Sequence, residues 1–364
     1  MMAFGGHLNA RVNFRPQSCA TDTPMYPKMA IWMRTISLLV VLVTSTYCGA
    51  PVFAQGSDDP DPNQMIIVPA NPAAETAGRE GILSQRAGDD AGAVKLFTRA
   101  IASLGPNDPI TGELYLLRGA SYRRMGQFNE ALHDVDEALK FPTMPPAVHY
   151  SRGMVLMSMG RYEQALAAFD DYLAKGPKIA LVYRQRGLAL SKLGRFPEEV
   201  AAFDAALQLA PNNTSLLYHR AVANTEAGNI DAAIADYTRC INLDPKPIVY
   251  YGRGNLYGRQ HNYEAAVTDF SHALELDPKM VSAYNNRGNA YADLGKYEAA
   301  LADYTMAIKL DPKHIGAYRN RGLLYDGKGR HDLARADYEQ GLKISPNDSW
   351  LKKKLRNPEK NQQK

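Results

Sequence analysis

Between Tyr115 and Pro346 one 34-residue pattern recurs seven times in register, best preserved from Tyr284 to Pro312. With Tyr284 as position 4 and Pro312 as position 32, the repeats open at Gly112, Pro146, Ala180, Thr214, Pro247, Val281 and Ile315. A unit of this length holds two short helices that cannot bury their apolar faces alone. Copies must therefore stack, so the period predicts an all-α solenoid whose product is a long surface for holding other molecules, and it argues against an enzyme.

The columns say how the helices meet. Position 8 reads Gly119, Gly153, Gly187, Ala221, Gly254, Gly288 and Gly322, and position 27 is also mostly small. Position 24 is large throughout, as Val135, Phe169, Phe203, Tyr237, Phe270, Tyr304 and Tyr338. A bulky knob opposite a small residue predicts close helix packing at those two columns. Pro177, Pro211, Pro245, Pro278, Pro312 and Pro346 end the second helix, because proline lacks a backbone donor and opposes helix continuation.

These residues resemble the tetratricopeptide repeat family, with its aromatic at 4, Gly or Ala at 8, Tyr at 11, Ala at 20, aromatic at 24, Ala at 27 and Pro at 32. The resemblance implies a right-handed superhelical solenoid of stacked antiparallel helix pairs. A degenerate copy at 74–111 keeps Gly81, Gly88, Ala93, Phe97 and Ala100 but has Ala77 and Ser84 at the aromatic positions, which suits an N-terminal cap. Seven units follow over 112–348, and 349–364 reads as a basic capping helix and tail. Departures are Glu199 at position 20, Asn224 at position 11, a one-residue deletion before Tyr250 and an irregular junction from Pro142 to Pro146. Local distortion is expected there, with the solenoid continuing through.

Ahead of the array, Arg34 precedes an apolar run from Ile36 to Val43 and then Val52-Phe53-Ala54. This pattern reads as a secretory signal peptide within 1–54, with cleavage before Gln55, followed by a disordered linker over 55–73. An exported, periplasmic protein is the expectation, with translation starting at Met29 or Met33. The alternative is a membrane anchor formed by the uncleaved signal, although Thr44, Ser45, Thr46, Gly49 and Pro51 interrupt the apolar run. Tyr47 before Cys48 argues against lipid attachment. Loss of Cys19 and Cys48 with the leader would leave Cys240 as a single thiol at the small, buried position 27, inert and without a bridge.

Charge excludes one partner class. Beyond residue 54 the chain has 38 basic against 37 acidic residues, and six of the basic ones lie after Ser349 opposite Glu359 alone. The array itself is therefore mildly acidic, unlike a nucleic-acid binder with Lys and Arg along one face. The basic tail could give weak contact with an anionic membrane surface. The eight histidines form no HExxH pair and have no cysteine partners at zinc spacing, so no metal or cofactor is expected. Gly252-Arg253-Gly254 belongs to the repeat motif of a first helix and has no strand before it, so it is not a nucleotide loop. No small-molecule substrate is expected either.

Position 7 is Arg in all seven repeats (Arg118, Arg152, Arg186, Arg220, Arg253, Arg287, Arg321), and position 23 is Asp in five (Asp134, Asp236, Asp269, Asp303, Asp337). Pairing between these columns would satisfy partly buried guanidiniums as a structural ladder. The alternative is an arginine stripe facing phosphate or carboxylate ligands.

By resemblance to the family, first-helix positions 2, 5, 6, 9 and 12 line the concave groove. Early repeats place Leu116, Tyr150, Met154, Met157, Leu188, Tyr218, Val222 and Tyr251 there, with Arg123 and Arg184 interspersed. Later repeats place Asn255, Asn285, Asn286, Asn289, Arg319 and Asn320 there. The aromatics and methionines read as anchors for a partner protein or peptide, or else as core residues. Asparagine is a poor helix former, so this row weakens its helices unless another interaction compensates. The amides either hold an extended peptide backbone or are simply solvated. The carboxylate clamp found in some family members is not matched: Asn255 and Asn286 fit, but Tyr251, Gly316 and Asn320 occupy its cationic slots. The functional expectation is a non-enzymatic scaffold or adaptor that binds a peptide segment or partner protein. The alternatives are an assembly factor acting through the convex face or ends, and a regulatory subunit of an envelope enzyme.

Overall fold

The computed structural model describes residues 71–356 apart from residue 106. The signal region, nearly all of the linker and the end of the basic tail lie outside the described residues. Among the described residues there are seventeen helices and no strand. They are α1 (Pro72–Arg86), α2 (Asp90–Ser103), α3 (Pro109–Arg124), α4 (Phe128–Ala138), α5 (Ala147–Ser158), α6 (Tyr162–Lys175), α7 (Ala180–Lys192), α8 (Phe196–Leu209), α9 (Thr214–Glu226), α10 (Ile230–Leu243), α11 (Pro247–Arg259), α12 (Tyr263–Leu276), α13 (Val281–Asp293), α14 (Tyr297–Leu310), α15 (Ile315–Gly327), α16 (His331–Ile344) and α17 (Ser349–Arg356). Odd-numbered helices are the first of each pair. The opening pair, α1 and α2, comes from the degenerate copy, and α1 begins at Pro72 behind an Asn71 cap, inside the stretch read as linker.

The turn inside each pair is fixed by position 15. Gly126, Gly160, Gly194, Gly228, Gly295 and Gly329 all have positive φ, and His261 takes the same conformation at φ 60. That left-handed residue lets the next N–H reach back to the carbonyl of position 11, as in Gln127 to Tyr122 at 2.9 Å and Lys296 to Tyr291 at 2.8 Å. The motif satisfies a carbonyl the helix end would orphan and reverses the chain within two residues.

The core runs along the line where the helices of each pair meet. Ala131, Ala165, Ala233, Ala266, Ala300 and Ala334 are fully buried, as are Phe169 and Phe203. A Cβ added at Gly288 would lie 2.7 Å from the Tyr304 ring, and one at Gly187 would lie 2.9 Å from Phe203. Only a residue without a side chain admits these knobs. Cys240 is buried and donates to the Thr214 carbonyl at 3.5 Å, while burial pushes its thiol up to about 11, as suits inert packing.

Each pair packs on the next, and successive first helices also touch one another, α3 with α5, α11 with α13 and α13 with α15, more closely than second helices do. The first helices therefore line the inner side of the curved array. At the irregular junction α4 has 11 residues where the other second helices have 14, and the chain regains register at Ala147. Glu199, in place of the usual alanine, is 3% exposed, and its Oε2 has no partner. Burial pushes its carboxyl up to about 7, against a hydrogen bond with Ser191. At the far end α17 covers the last pair: Leu351 is fully buried, and Trp350 meets Tyr338 edge-on at 5.7 Å.

Candidate functional site

The arginine column proves to be a ladder. Arg118, Arg220, Arg253, Arg287 and Arg321 each grip the position-23 aspartate of their own repeat with two hydrogen bonds, for example Arg287 Nε and Nη2 to Asp303 at 2.8 Å each. Their third contact goes to position 25 of the preceding repeat: Thr98, Asp204, Thr238, Ser271 and Thr305. Position 23 is Ala168 and Ala202 in the second and third repeats, where Arg152 and Arg186 turn to Asp136 and Asp170 of the preceding repeat at 2.7 and 2.6 Å. Every arginine thus keeps a carboxylate, and Arg220 has two. Tyrosines at positions 4 and 11 bracket several guanidiniums, as Tyr284 and Tyr291 do Arg287 at 5.6 and 5.8 Å. Such bracketing adds cation–π attraction and keeps water off the pairs. These arginines are committed to the scaffold, so they form no ligand stripe.

The early half of the first-helix surface is apolar and unfinished. Position-5 tyrosines rest on the knobs at position 24: Tyr150 on Phe169 at 6.0 Å, Tyr218 on Tyr237 at 6.0 Å and Tyr251 on Phe270 at 5.9 Å. Met154, Met157 and Leu188 pack on the same clusters, and these side chains, with Val222, remain only half buried. Each has one face against the core and another toward solvent on the inner helices. They line a surface and cover the core together.

In the amide half the side chains bond to one another across repeats. Asn286 donates from Nδ2 to Asn255 Oδ1 at 2.8 Å and to the Tyr251 hydroxyl at 3.1 Å. One repeat later, Asn320 donates to Asn289 Oδ1 at 2.8 Å and to Asn285 Oδ1 at 3.0 Å. Asn285 donates in turn to Asn286 at 3.0 Å, and the Tyr304 hydroxyl donates to Asn289 at 2.8 Å. Position 6 of one repeat is thereby stapled to positions 5 and 9 of the repeat before. Asn285 is buried at 9% exposure, and Asn255, Asn286, Asn289 and Asn320 remain half buried. Arg319 is likewise taken: it pairs with Asp348 at 2.7 Å and lies 5.1 Å from the Trp350 ring, tying α17 to α15.

Arg123 and Arg184 have no carboxylate within ion-pair distance among the described residues. Arg184 is half buried on α7, and its Nε, like that of Arg319, is shielded from solvent with no hydrogen-bond partner. Beside it His219 stacks on Phe203 at 5.6 Å. Burial and the Arg184 charge hold that imidazole down at about 4. The sequence reading left out His219 and position 25. The last was legible, because Asp136 and Asp170 stand one repeat ahead of the two alanines at position 23. Among the described residues no cluster of three or more His, Cys, Asp or Glu could hold a metal ion, and no helix is long and apolar enough to cross a membrane.

Models of the tetratricopeptide repeat match residues 116–178, 150–214 and 186–246, then 247–280 and 281–314, and then 315–348. No curated protein matches the chain. Among solved structures, the C-terminal part of a TPR repeat-containing protein from Cytophaga hutchinsonii is 19% identical, covers 65% of this chain and 98% of its own, and superposes with a TM-score of 0.57. The crystal structure of MamA is 25% identical over 45% of this chain and 96% of that one, with a TM-score of 0.43. YrrB, described as a TPR protein with an unusual peptide-binding site, is 19% identical over 52% of this chain and 99% of its own, at a TM-score of 0.45.

Proposed function

Since the chain belongs to the tetratricopeptide repeat family, a family of protein-interaction scaffolds, we propose that it holds an extended segment of a partner protein against the early first helices, α3 to α11. The observation that carries this reading is the row of half-buried Tyr150, Met154, Met157, Leu188, Tyr218 and Tyr251 on the inner helices. Aromatic and methionine side chains already held by the core lose little further conformational freedom when a partner covers them, which makes them efficient anchors. The stapled amides from α11 to α15 stiffen the array beside that surface.

Export is part of the proposal. It rests on Arg34, the Ile36 to Val43 run and Val52-Phe53-Ala54, and places the scaffold in a cell envelope. N-terminal sequencing of the mature protein tests it: a start at Gln55 supports cleavage, and an intact leader on a soluble protein removes the compartment from the reading.

The surface is tested by photo-crosslinking from Met154 and Tyr218 in envelope extracts, comparing the unsubstituted protein with a Tyr218→Ala, Tyr251→Ala variant. Partners lost from the variant support the inner surface. Identical capture by both would move attention to the outer face. A row of exposed leucines at the ends of α8, α10 and α12, Leu209, Leu243 and Leu276, favours assembly as the second reading, and a monomer at all concentrations in light scattering counts against it.

A further inference from the structure

Between Gln55 and Asn71 the chain is polar except for one apolar run, Met65-Ile66-Ile67-Val68, closed by Pro69. Such a run in a spacer leaves apolar surface in water unless something covers it. The point where it meets the array is fixed. Asn71 caps α1 by accepting from the Ala74 N–H at 3.1 Å, and its Nδ2 donates to the Ser103 carbonyl at the end of α2. Toward the other end of α1, Gln85 donates to the Leu117 carbonyl and to Ser121 Oγ of α3 at 2.7 Å each, so α1 lies directly against α3. First helices of successive pairs run in one direction, so the chain enters α1 at the edge of the inner surface that carries position 5, where Leu116 and Tyr150 stand. Both are half buried, as are Ala120 and Met154 at position 9, and Leu116 and Tyr150 each have one face on the core. Val68 and Ile66 precede Pro72 by four and six residues, an extended reach of about 13 and 20 Å. Packed helices lie about 10 Å apart, so α3 is one step from α1 and α5 is two.

We propose that Met65–Val68 folds back in cis onto α3 and α5, with Val68 against Leu116 and Ile66 against Tyr150, so that the chain's own segment covers the start of the inner surface and a partner must displace it. The inference rests on the peptide-binding reading above and specifies its ligand: an extended run of aliphatic side chains like the one it replaces. The segment suits the role. Isoleucine and valine favour extended backbone, and a residue before proline is driven the same way, so little order is lost on docking. A short tether holds the segment at an effective concentration on the order of 1 mM, far above that of any second copy in dilute solution, so the chain's own run outcompetes its neighbour's. A contact of modest intrinsic strength is then enough to keep the surface covered, and it yields to any partner that binds tightly.

The test places a photoreactive benzophenone side chain at Gln64 of the purified full-length protein, irradiates it in dilute solution and maps the crosslinks by mass spectrometry. The expected crosslinks run within one chain to α3 and α5 and are lost when Ile66→Ser, Ile67→Ser and Val68→Ser are combined. Crosslinks that join two chains assign the surface to a second copy, and crosslinks scattered along the array or unchanged in the serine variant show no docked segment; each of these results overturns the proposal. The second measurement is fluorescence anisotropy of a labelled peptide with the sequence of residues 62–71. For an effective cis concentration of about 1 mM and a peptide Kd of about 0.1 mM, the serine variant should bind the peptide about tenfold more tightly than the unsubstituted protein. Adding Tyr150→Ala to the serine variant should remove that gain with unchanged circular dichroism. Equal binding by the serine variant and the unsubstituted protein overturns the cis contact while the inner-surface reading stands. Binding by neither also overturns it, and the inner surface is then decided by partner capture from Met154 and Tyr218.

Discussion

Replacing Asp269 with alanine isolates what one rung of the ladder contributes. Arg253 gives Asp269 two hydrogen bonds of 2.8 Å and Thr238 one of 2.9 Å, and the side chains are 16% and 3% exposed. Without the acid the guanidinium keeps one neutral acceptor and stays flanked by Tyr250 and Tyr257 at 6.0 and 5.7 Å, so Asp269→Ala should cost about 3 kcal/mol. The same change at Asp236 should cost about 1–2 kcal/mol, since Arg220 retains Asp204 at 2.6 Å. The second and third repeats supply the rescue: Asp269→Ala with Thr238→Asp rebuilds the arrangement of Ala168 with Asp136 and of Ala202 with Asp170. It should return about 1 kcal/mol, because such pairs are about half exposed and high dielectric limits them. Urea unfolding followed by far-ultraviolet circular dichroism, with unchanged slopes, measures all three. Equal losses for Asp236→Ala and Asp269→Ala, or a rescue variant no better than the single one, would show that the carboxylate count per arginine does not govern the rung.

His261→Gly should stabilise the array by about 1 kcal/mol in the same assay, as it relieves a left-handed residue at φ 60, less what is lost with the 2.7 Å contact to the Tyr263 hydroxyl. Asn320→Ala should cost about 1–2 kcal/mol by breaking two amide hydrogen bonds, and should leave peptide affinity unchanged because the staple lies apart from the proposed surface. Glu199 makes stability pH-dependent: its carboxyl is raised in the folded state from the ordinary 4.5 to about 7, so the folded form binds the extra proton and stability falls as pH rises through that window. Glu199→Gln should flatten the fall in melting temperature between those pH values, and an unchanged profile would count against a buried acid there.

Much of the scaffold was readable because steric rules act at fixed spacing. Gly288 opposite Tyr304, and the arginine and aspartate columns at positions 7 and 23, follow from helical periodicity within one repeat. What escaped lies between repeats. Asn286 and Asn320 occupy columns that face a groove, yet whether an amide there aims outward or at the preceding helix depends on ångström-scale rotation of one pair against the next, which no single repeat encodes. Arg319 reads as a groove cation because its partner Asp348 sits at the very end of the last repeat, where the chain turns into the capping helix. Arg184 was placed in the groove from its column alone; its lack of an acid partner required the packing of neighbouring helices.

The rungs also divide the array mechanically. Around the second and third repeats the links between neighbours are ion pairs with half-exposed aspartates, whose strength ionic strength can screen. From the fifth repeat on, neutral hydroxyl contacts and interlocked amides join the neighbours and are nearly indifferent to salt. Added salt should therefore weaken the links flanking Tyr150 and Arg184 and leave those of the amide end nearly unchanged.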